Sequence, residues 1–188
     1  MGKLVYGVGI NDADYSVNSV IGSCQVMCPY YDKWKGMLRR CYSKKYHNKQ
    51  PTYINCTVCE EWLTFSTFKR WMETQDWQDK HLDKDLLCKD NKVYSAIYCV
   101  FVSQQINSFL TDRVNNRGEF LIGVDYISRL GKFRASCSDG KRTQYLGLFN
   151  TELEAHLKWK AKKHTIACEL ATSQEDTRIS KALRTRYL

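Results

Sequence analysis

Proline is almost missing from this chain: there are two in 188 residues. That scarcity argues against long disordered linkers. Also lacking is any apolar run near the ~20 residues a membrane helix needs. The opening MGKLVYGVGINDADY has no sustained apolar stretch of the kind a secretory signal carries. Tyr6 stands where a myristoylation pattern needs Ser or Thr. We find no internal repeat and no low-complexity tract. These absences lead us to expect no membrane partner, a cytoplasmic location and reduced thiols. The acceptor pattern Asn55-Cys56-Thr57 would then go unglycosylated.

What is present is aromatic, basic and unevenly charged. Hydrophobic residues make up 43% and aromatics 13%, enough for packed cores, and the formal net charge is +9. Residues 1–112 hold 14 Lys and Arg against 12 Asp and Glu, whereas residues 113–188 hold 15 against 8. A basic C-terminal part beside a near-neutral first part points to a polyanion-binding module joined to something else.

Hydrophobic periodicity divides the chain. Residues 1–30 read as strand and turn. Trp34, Met37, Leu38 and Cys41 fall on one face of a helix, with Lys33, Lys35, Arg39 and Arg40 on the other. A polar loop is expected at 44–55. A second helix is expected over about 60–73, with Trp62, Phe65, Phe68, Trp71 and Met72 inward. His81 to Leu87 reads as a strand, Lys89 to Lys92 as a turn, and the β-branched and aromatic run Val93 to Val102 as a second strand. Ser103 can then cap a helix carrying Ile106, Asn107, Phe109 and Leu110. Residues 112–119 read as a linker.

This strand–turn–strand–helix unit could carry phosphodiester chemistry. Hydrolysis needs a cation on the developing phosphate charge, a base for water, and a grip on the strand. Asp83 at the strand end and Asn107 on the helix offer oxygen ligands suited to Mg²⁺ or Mn²⁺. Asn91 sits where a side-chain amide can pin the turn. Lys84, His81 and Asp85 are the groups near the base position. The same residue types also occur on an ordinary surface hairpin.

Wider motifs sharpen this. The chain has Trp34-Lys35-Gly36-Met37-Leu38-Arg39-Arg40-Cys41. It then has Cys56-Thr57-Val58-Cys59-Glu60-Glu61-Trp62 with Phe65, and Leu82-Asp83-Lys84-Asp85. Over about residues 28–112 it resembles phage-encoded HNH (ββα-metal) homing-type endonucleases. The resemblance implies that Asp83 and Asn107 hold the metal, that Asn91 shapes the loop, and that the host cytoplasm is the location. One position departs: Lys84 stands where such enzymes usually carry the histidine base. Lys84 is the candidate by position and His81 by chemistry. Lys84 could instead contact phosphate while His81 or Asp85 takes the proton, or no side-chain base acts at all.

Nine cysteines is an odd count. Cys56 and Cys59 have metal spacing, and Cys24 with Cys28 could complete a four-thiolate zinc site. No cysteine pair follows the unit as zinc-stapled ββα sites usually require, so buried structural thiols are the preferred expectation.

The C-terminal part reads as three strands, at 121–127, 132–138 and 141–149, followed by a helix through Lys163. Asp139-Gly140 is a two-residue hairpin signal, and Thr151 with Glu154 is a capping box. On the second strand Phe133, Ala135 and Cys137 alternate with Lys132, Arg134 and Ser136. The apolar set should pack on the helix through Leu153, Leu157 and Trp159. The motifs Gly123-Val124, Gly131-Lys132-Phe133-Arg134-Ala135, Tyr145-Leu146-Gly147-Leu148-Phe149 and Thr151 to Ala155 resemble the APETALA2 (ethylene-response-factor) DNA-binding domain. That implies a sheet laid into the major groove, with Arg129, Lys132, Arg134, Arg142 and Gln144 as contacts. Asp125 stands where the plant domains carry a DNA-contacting arginine.

We therefore expect an α+β chain: an HNH-like nuclease domain at 1–112, with its ββα unit at about 81–111, an APETALA2-like domain at 119–165, and a basic helix or tail at 166–188. The expected function is metal-dependent cleavage of duplex DNA. A DNA-binding protein whose nuclease unit no longer cuts, and an RNA- or structure-specific nuclease, stay open. No coiled-coil seam decides between monomer and homodimer.

Overall fold

A computed structural model of the chain describes residues 4–111 and 119–188, so all but the last residue of the expected linker lies outside it. The fold is mixed α+β, and it divides into two compact units, Met1–Phe101 and Val102–Leu188. Among the described residues no helix is long and apolar enough to cross a membrane.

The first unit opens with an antiparallel hairpin, β1 (Asn18–Ile21) on β2 (Cys24–Met27). Helix α1 (Pro29–Tyr42) follows, with Pro at its first turn, and buries Tyr31, Trp34, Met37, Leu38 and Cys41 as its periodicity predicts. The expected loop after it instead contains a short helix, α2 (Lys44–Lys49), started by Ser43, whose hydroxyl accepts the N–H of Tyr46. A single 3₁₀ turn follows at Pro51–Tyr53.

The second expected helix is split. Glu60–Leu63 is a 3₁₀ turn, and α3 runs only from Phe65 to Glu73. The cause lies upstream. Ile10 donates to Leu63 O at 2.8 Å and accepts from the Phe65 N–H at 3.0 Å, which takes both groups from a continuous helix. Asp12 then caps α3, its carboxylate receiving the Ser66 N–H at 2.9 Å and the Ser66 hydroxyl at 2.5 Å. Neither partner is close in sequence. The inward faces of α1 and α3 build an aromatic core in which Trp34, Phe65, Phe68, Met37, Leu38 and Met72 are fully enclosed. Each such side chain contributes about 1.5–3 kcal/mol relative to exposure. The Trp34 indole donates to Trp62 O at 2.7 Å, so its polar group is also satisfied.

The expected hairpin of two long strands is much reduced. Strand β4 covers only His81–Asp83. The expected second strand is two: β5 (Val93–Tyr94), parallel to β3 (Thr57–Val58), and β6 (Val100–Val102), paired with β4. Between them the chain turns at 95–99, closed by a 2.9 Å bond from the Cys99 N–H to Ser95 O. Uniform β propensity over 93–102 could not show that the two ends pair with different partners.

In the second unit, α4 (Gln104–Leu110) starts at Ser103, whose hydroxyl accepts the Ile106 N–H. Strands β7 (Val124–Ile127), β8 (Lys132–Ser138) and β9 (Thr143–Phe149) form an antiparallel sheet in that order, followed by α5 (Glu152–Thr172) and α6 (Thr177–Thr185). The Thr151–Glu154 capping box is present. Helix α5 continues well past Lys163.

Two details differ from expectation. The central hairpin residues are Gly140 and Lys141, one later than Asp139-Gly140. Asp139 pairs with Arg142 through its N–H, and its carboxylate receives the N–H groups of Lys141 and Arg142 at 2.8 and 2.7 Å. Gly140, at φ +92°, supplies the left-handed step. Second, α5 does not pack through Leu153 and Leu157, which are 59% and 54% exposed. Its buried stripe is Ala155, Trp159, Lys163, Ile166, Ala167 and Ala171. Two residues along a helix is a rotation of roughly 200°, so once Ala155 faces the sheet both leucines face away. Gly123, at φ +81°, makes this approach possible, because a Cβ there would lie 2.1 Å from Trp159 Cδ1.

Helix α4 is gripped from the same unit. A Cβ on Gly140 would lie 2.3 Å from Gln105 O, so the hairpin tip sits directly on the helix. The buried Lys163 Nζ donates to Phe109 O at 2.6 Å and stands 3.9 Å from the centre of the Phe109 ring. It thus serves both an orphan carbonyl at the helix end and an aromatic face.

Candidate functional site

In the first unit the residues of interest surround the end of β4. Asp83 stops the strand by folding its side chain onto the chain that follows: Oδ1 accepts the N–H of Asp85 at 2.9 Å and of Leu86 at 2.7 Å. Its other oxygen accepts no hydrogen bond from any described residue. Burial raises the Asp83 carboxyl above the usual range. The Leu86 N–H works against that shift, and the nearby charge of Asp85 adds to it. A half-buried carboxylate with one fixed and one uncommitted oxygen is the arrangement a cation ligand requires.

His81 lies two residues before Asp83, hence on the same side of the strand and about 7 Å along it. It is half-buried, and its ring forms no hydrogen bond with a described residue.

Lys84 points the other way and is 5% exposed. Its Nζ donates to Asp85 Oδ1 at 2.5 Å and to Asn91 O at 2.7 Å, and lies 5.9 Å from the Tyr94 ring centre. Arg40 approaches the same ring at 5.4 Å and donates through Nε to the Tyr94 oxygen at 2.9 Å. Burial pushes the Tyr94 phenol upward, so it remains a neutral acceptor between two cations. Sequence periodicity placed Arg40 on the polar face of α1 and gave no sign of this partnership.

Asn91 closes the turn. Its Nδ2 donates to Lys84 O at 3.0 Å and Val93 O at 2.7 Å, while Oδ1 accepts the Val93 N–H at 3.1 Å. The preceding Asp90 has φ +61°, a conformation Asp tolerates better than most residues.

Asn107 belongs to the second unit, on α4. It is half-buried, and its side-chain amide bonds to no described residue. Each of Asp83 and Asn107, within its own unit, offers the oxygen-donor chemistry a hard divalent cation takes, with a ligating oxygen that bonds no described residue. Mg²⁺ sites commonly use one or two such groups and complete the shell with water and substrate phosphate.

The four cysteines weighed for zinc are not gathered. Among the described residues no group of three or more His, Cys, Asp or Glu converges on a point. Cys24 is exposed, Cys28 Sγ lies 3.7 Å from the Tyr15 hydroxyl, and burial raises the thiols of Cys56 and Cys59. Burial likewise pushes Cys41 and Cys99 up to about 12, which makes them inert at neutral pH.

Compared with protein-family models, curated proteins and solved structures, the chain has no match.

The second unit carries the basic candidates. On β8, Ala135 and Cys137 are buried, so Arg134 and Ser136 face outward. Arg134 stands directly opposite Asp125 on β7 and Leu148 on β9. Lys132 is part-buried and bonds Asn150. Arg129, in the turn after β7, and Arg142, at the hairpin, are exposed. Gln144 is exposed too, but it pairs across from Cys137 and so shares the helix-facing side. A bulge at Ala135/Ser136 shifts β9 by one residue and brings Tyr145, 64% exposed, opposite Ser136 and onto Arg134's side. Simple alternation counts could not register that bulge. Its one sequence sign is Gly147 within the strand, at φ +129°.

Proposed function

We propose that the chain is a divalent-metal-dependent endonuclease acting on duplex DNA, of the homing-like kind encoded by phages. The observation that carries this is Asp83: a carboxylate fixed at a strand end by two main-chain N–H groups, with its second oxygen uncommitted. In this proposal Asp83 and Asn107 hold Mg²⁺ or Mn²⁺, which when bound neutralises charge developing on the phosphate and the leaving oxygen. His81 takes the proton from the attacking water. It shares Asp83's side of β4, and its ring is uncommitted. Lys84 braces the turn from inside, since both its partners are acceptors and it is enclosed. Asn91 holds the turn's shape. The C-terminal sheet grips duplex DNA through Arg134 on its outer side, with Arg129 and Arg142 exposed in the flanking turns.

A second reading has its own support. Lys84 occupies the usual histidine position and is spent on protein contacts, as expected of a DNA-binding protein whose nuclease unit is idle. One experiment separates the two. Supercoiled plasmid is incubated with the protein and Mg²⁺ or Mn²⁺, and product is scored as nicked or linear. Cleavage that disappears in Asp83→Ala and Asn107→Ala while gel-shift binding persists supports the enzyme. Binding without cleavage under either metal, on phage genomic DNA as well as plasmid, assigns the chain to the second reading.

A further inference from the structure

The outer side of the C-terminal sheet contains an ion pair that the DNA-binding proposal does not use. Arg134 donates to Asp125 through Nε at 3.1 Å and through Nη2 at 2.5 Å, and the two residues are direct cross-strand partners. The side chains are 48% and 43% exposed, so this is a surface pair of small worth to stability. Its geometry is more informative than its energy. A guanidinium has five N–H donors in a rigid plane. The Nε and Nη2 side is taken by Asp125. The end of the fork, where Nη1 and Nη2 each present a parallel N–H, bonds no described residue. That end matches the O6 and N7 acceptors of guanine in the major groove.

We infer that Asp125 is a positioning residue that sets base specificity: it orients Arg134 so that the sheet offers its fork end to a guanine edge and not to a phosphate. The inference rests on the proposal that this sheet binds duplex DNA. Two properties of Asp125 act in the same direction. Its two hydrogen bonds favour one setting of the guanidinium over the rotations by which a free arginine side chain could reach either backbone or base. Its negative charge, on the side meant for DNA, repels phosphate and weakens sequence-independent binding. Leu148, the partner of Arg134 on β9, is 41% exposed and offers no competing acceptor side chain.

The test is selection of binding sites from a random-core duplex library by the full chain, without divalent metal so that nothing is cut. Wild type is compared with Asp125→Ala, Asp125→Asn and Arg134→Ala, each checked for an unchanged thermal transition. Wild type is expected to enrich a position fixed as guanine. Arg134→Ala and Asp125→Ala should both lose that preference by roughly tenfold or more, with Asp125→Asn between. Asp125→Ala should at the same time bind random duplex more tightly than wild type, by a few fold at low salt. If Asp125→Ala keeps the same guanine preference, or if wild type binds DNA with no base preference, the inference is overturned while DNA binding stands. If wild type binds no duplex at all, the DNA-binding proposal falls with it.

Discussion

Lys84 and Asn91, seven residues apart, bond each other twice in opposite senses: the ammonium donates to Asn91 O, and the Asn91 amide donates to Lys84 O. This reciprocal pair closes the turn after β4 and fixes the main chain on which Asp83 stands.

Loss of the Asn91 amide should therefore be costly. Asn91→Ala strands Lys84 O, Val93 O and the Val93 N–H. With one to three kcal/mol for each group left dry, offset by water reaching the half-exposed turn, we expect about 2–4 kcal/mol of destabilisation. Denaturant unfolding of both proteins measures it; a change within about 0.5 kcal/mol would mean the amide does not pin the turn.

The base is a question of rate. His81→Ala should lower kcat by about 10²–10⁴-fold while gel-shift binding to duplex DNA persists. Lys84→Met should act mainly on the thermal transition. A Lys84→Met protein that folds normally, yet loses cleavage to the same degree as His81→Ala, would return Lys84 to the base role.

Asp83 gives a signed pH dependence. Burial raises its carboxyl in the folded chain, so the protonated form favours folding. In the absence of metal that contribution is full below the ordinary carboxyl range and is lost as pH rises through the raised value. A divalent cation takes the ionised form, so metal affinity should increase with pH across the same window and then level. Mg²⁺-induced shifts in Tm, followed from acid to neutral pH, should show this for wild type and should be flat for Asp83→Asn. At neutral pH without metal, Asp83→Asn should be no less stable than wild type, because an amide oxygen can still accept the Asp85 and Leu86 N–H groups.

In the second unit Gly123→Ala should be among the most damaging small substitutions. Its φ is +81°, and Trp159 occupies the space of the new methyl. We expect more than about 3 kcal/mol of destabilisation, from left-handed strain together with overpacking. Leu157→Ser, on the exposed side of α5, should stay within about 0.5 kcal/mol.

Nearby residues specify some of this fold, and partners distant in sequence specify the rest. Helix α1 was readable because its faces are set by its own sequence, and the Thr151 cap because both partners lie in one turn. The break at Thr64 was not, because it is made by Ile10 and Asp12, more than fifty residues away. The same holds for Trp159, whose seat depends on the missing side chain of Gly123. At β4 the composition suggested a strand to Leu87, but the Asp83 carboxylate competes for the main chain and ends it four residues early. Arg40 reads as part of the polar face of a helix and Lys84 as a base or phosphate contact, and only the fold shows that they flank Tyr94. At the sheet, identifying Arg134 required only alternation; separating Gln144 from Tyr145 required the bulge.

The turn at 95–99 has a consequence for how this chain can change length. It joins two strands that answer to different neighbours, β5 to β3 and β6 to β4. Its tip residue Ile97 is 76% exposed. Added residues there need not slip either register, so Tyr94 and the Val100–Val102 run could keep their buried places. Residues 96–98 are thus a natural insertion point: a tag or a grafted loop can be carried there while Asp83 keeps its setting.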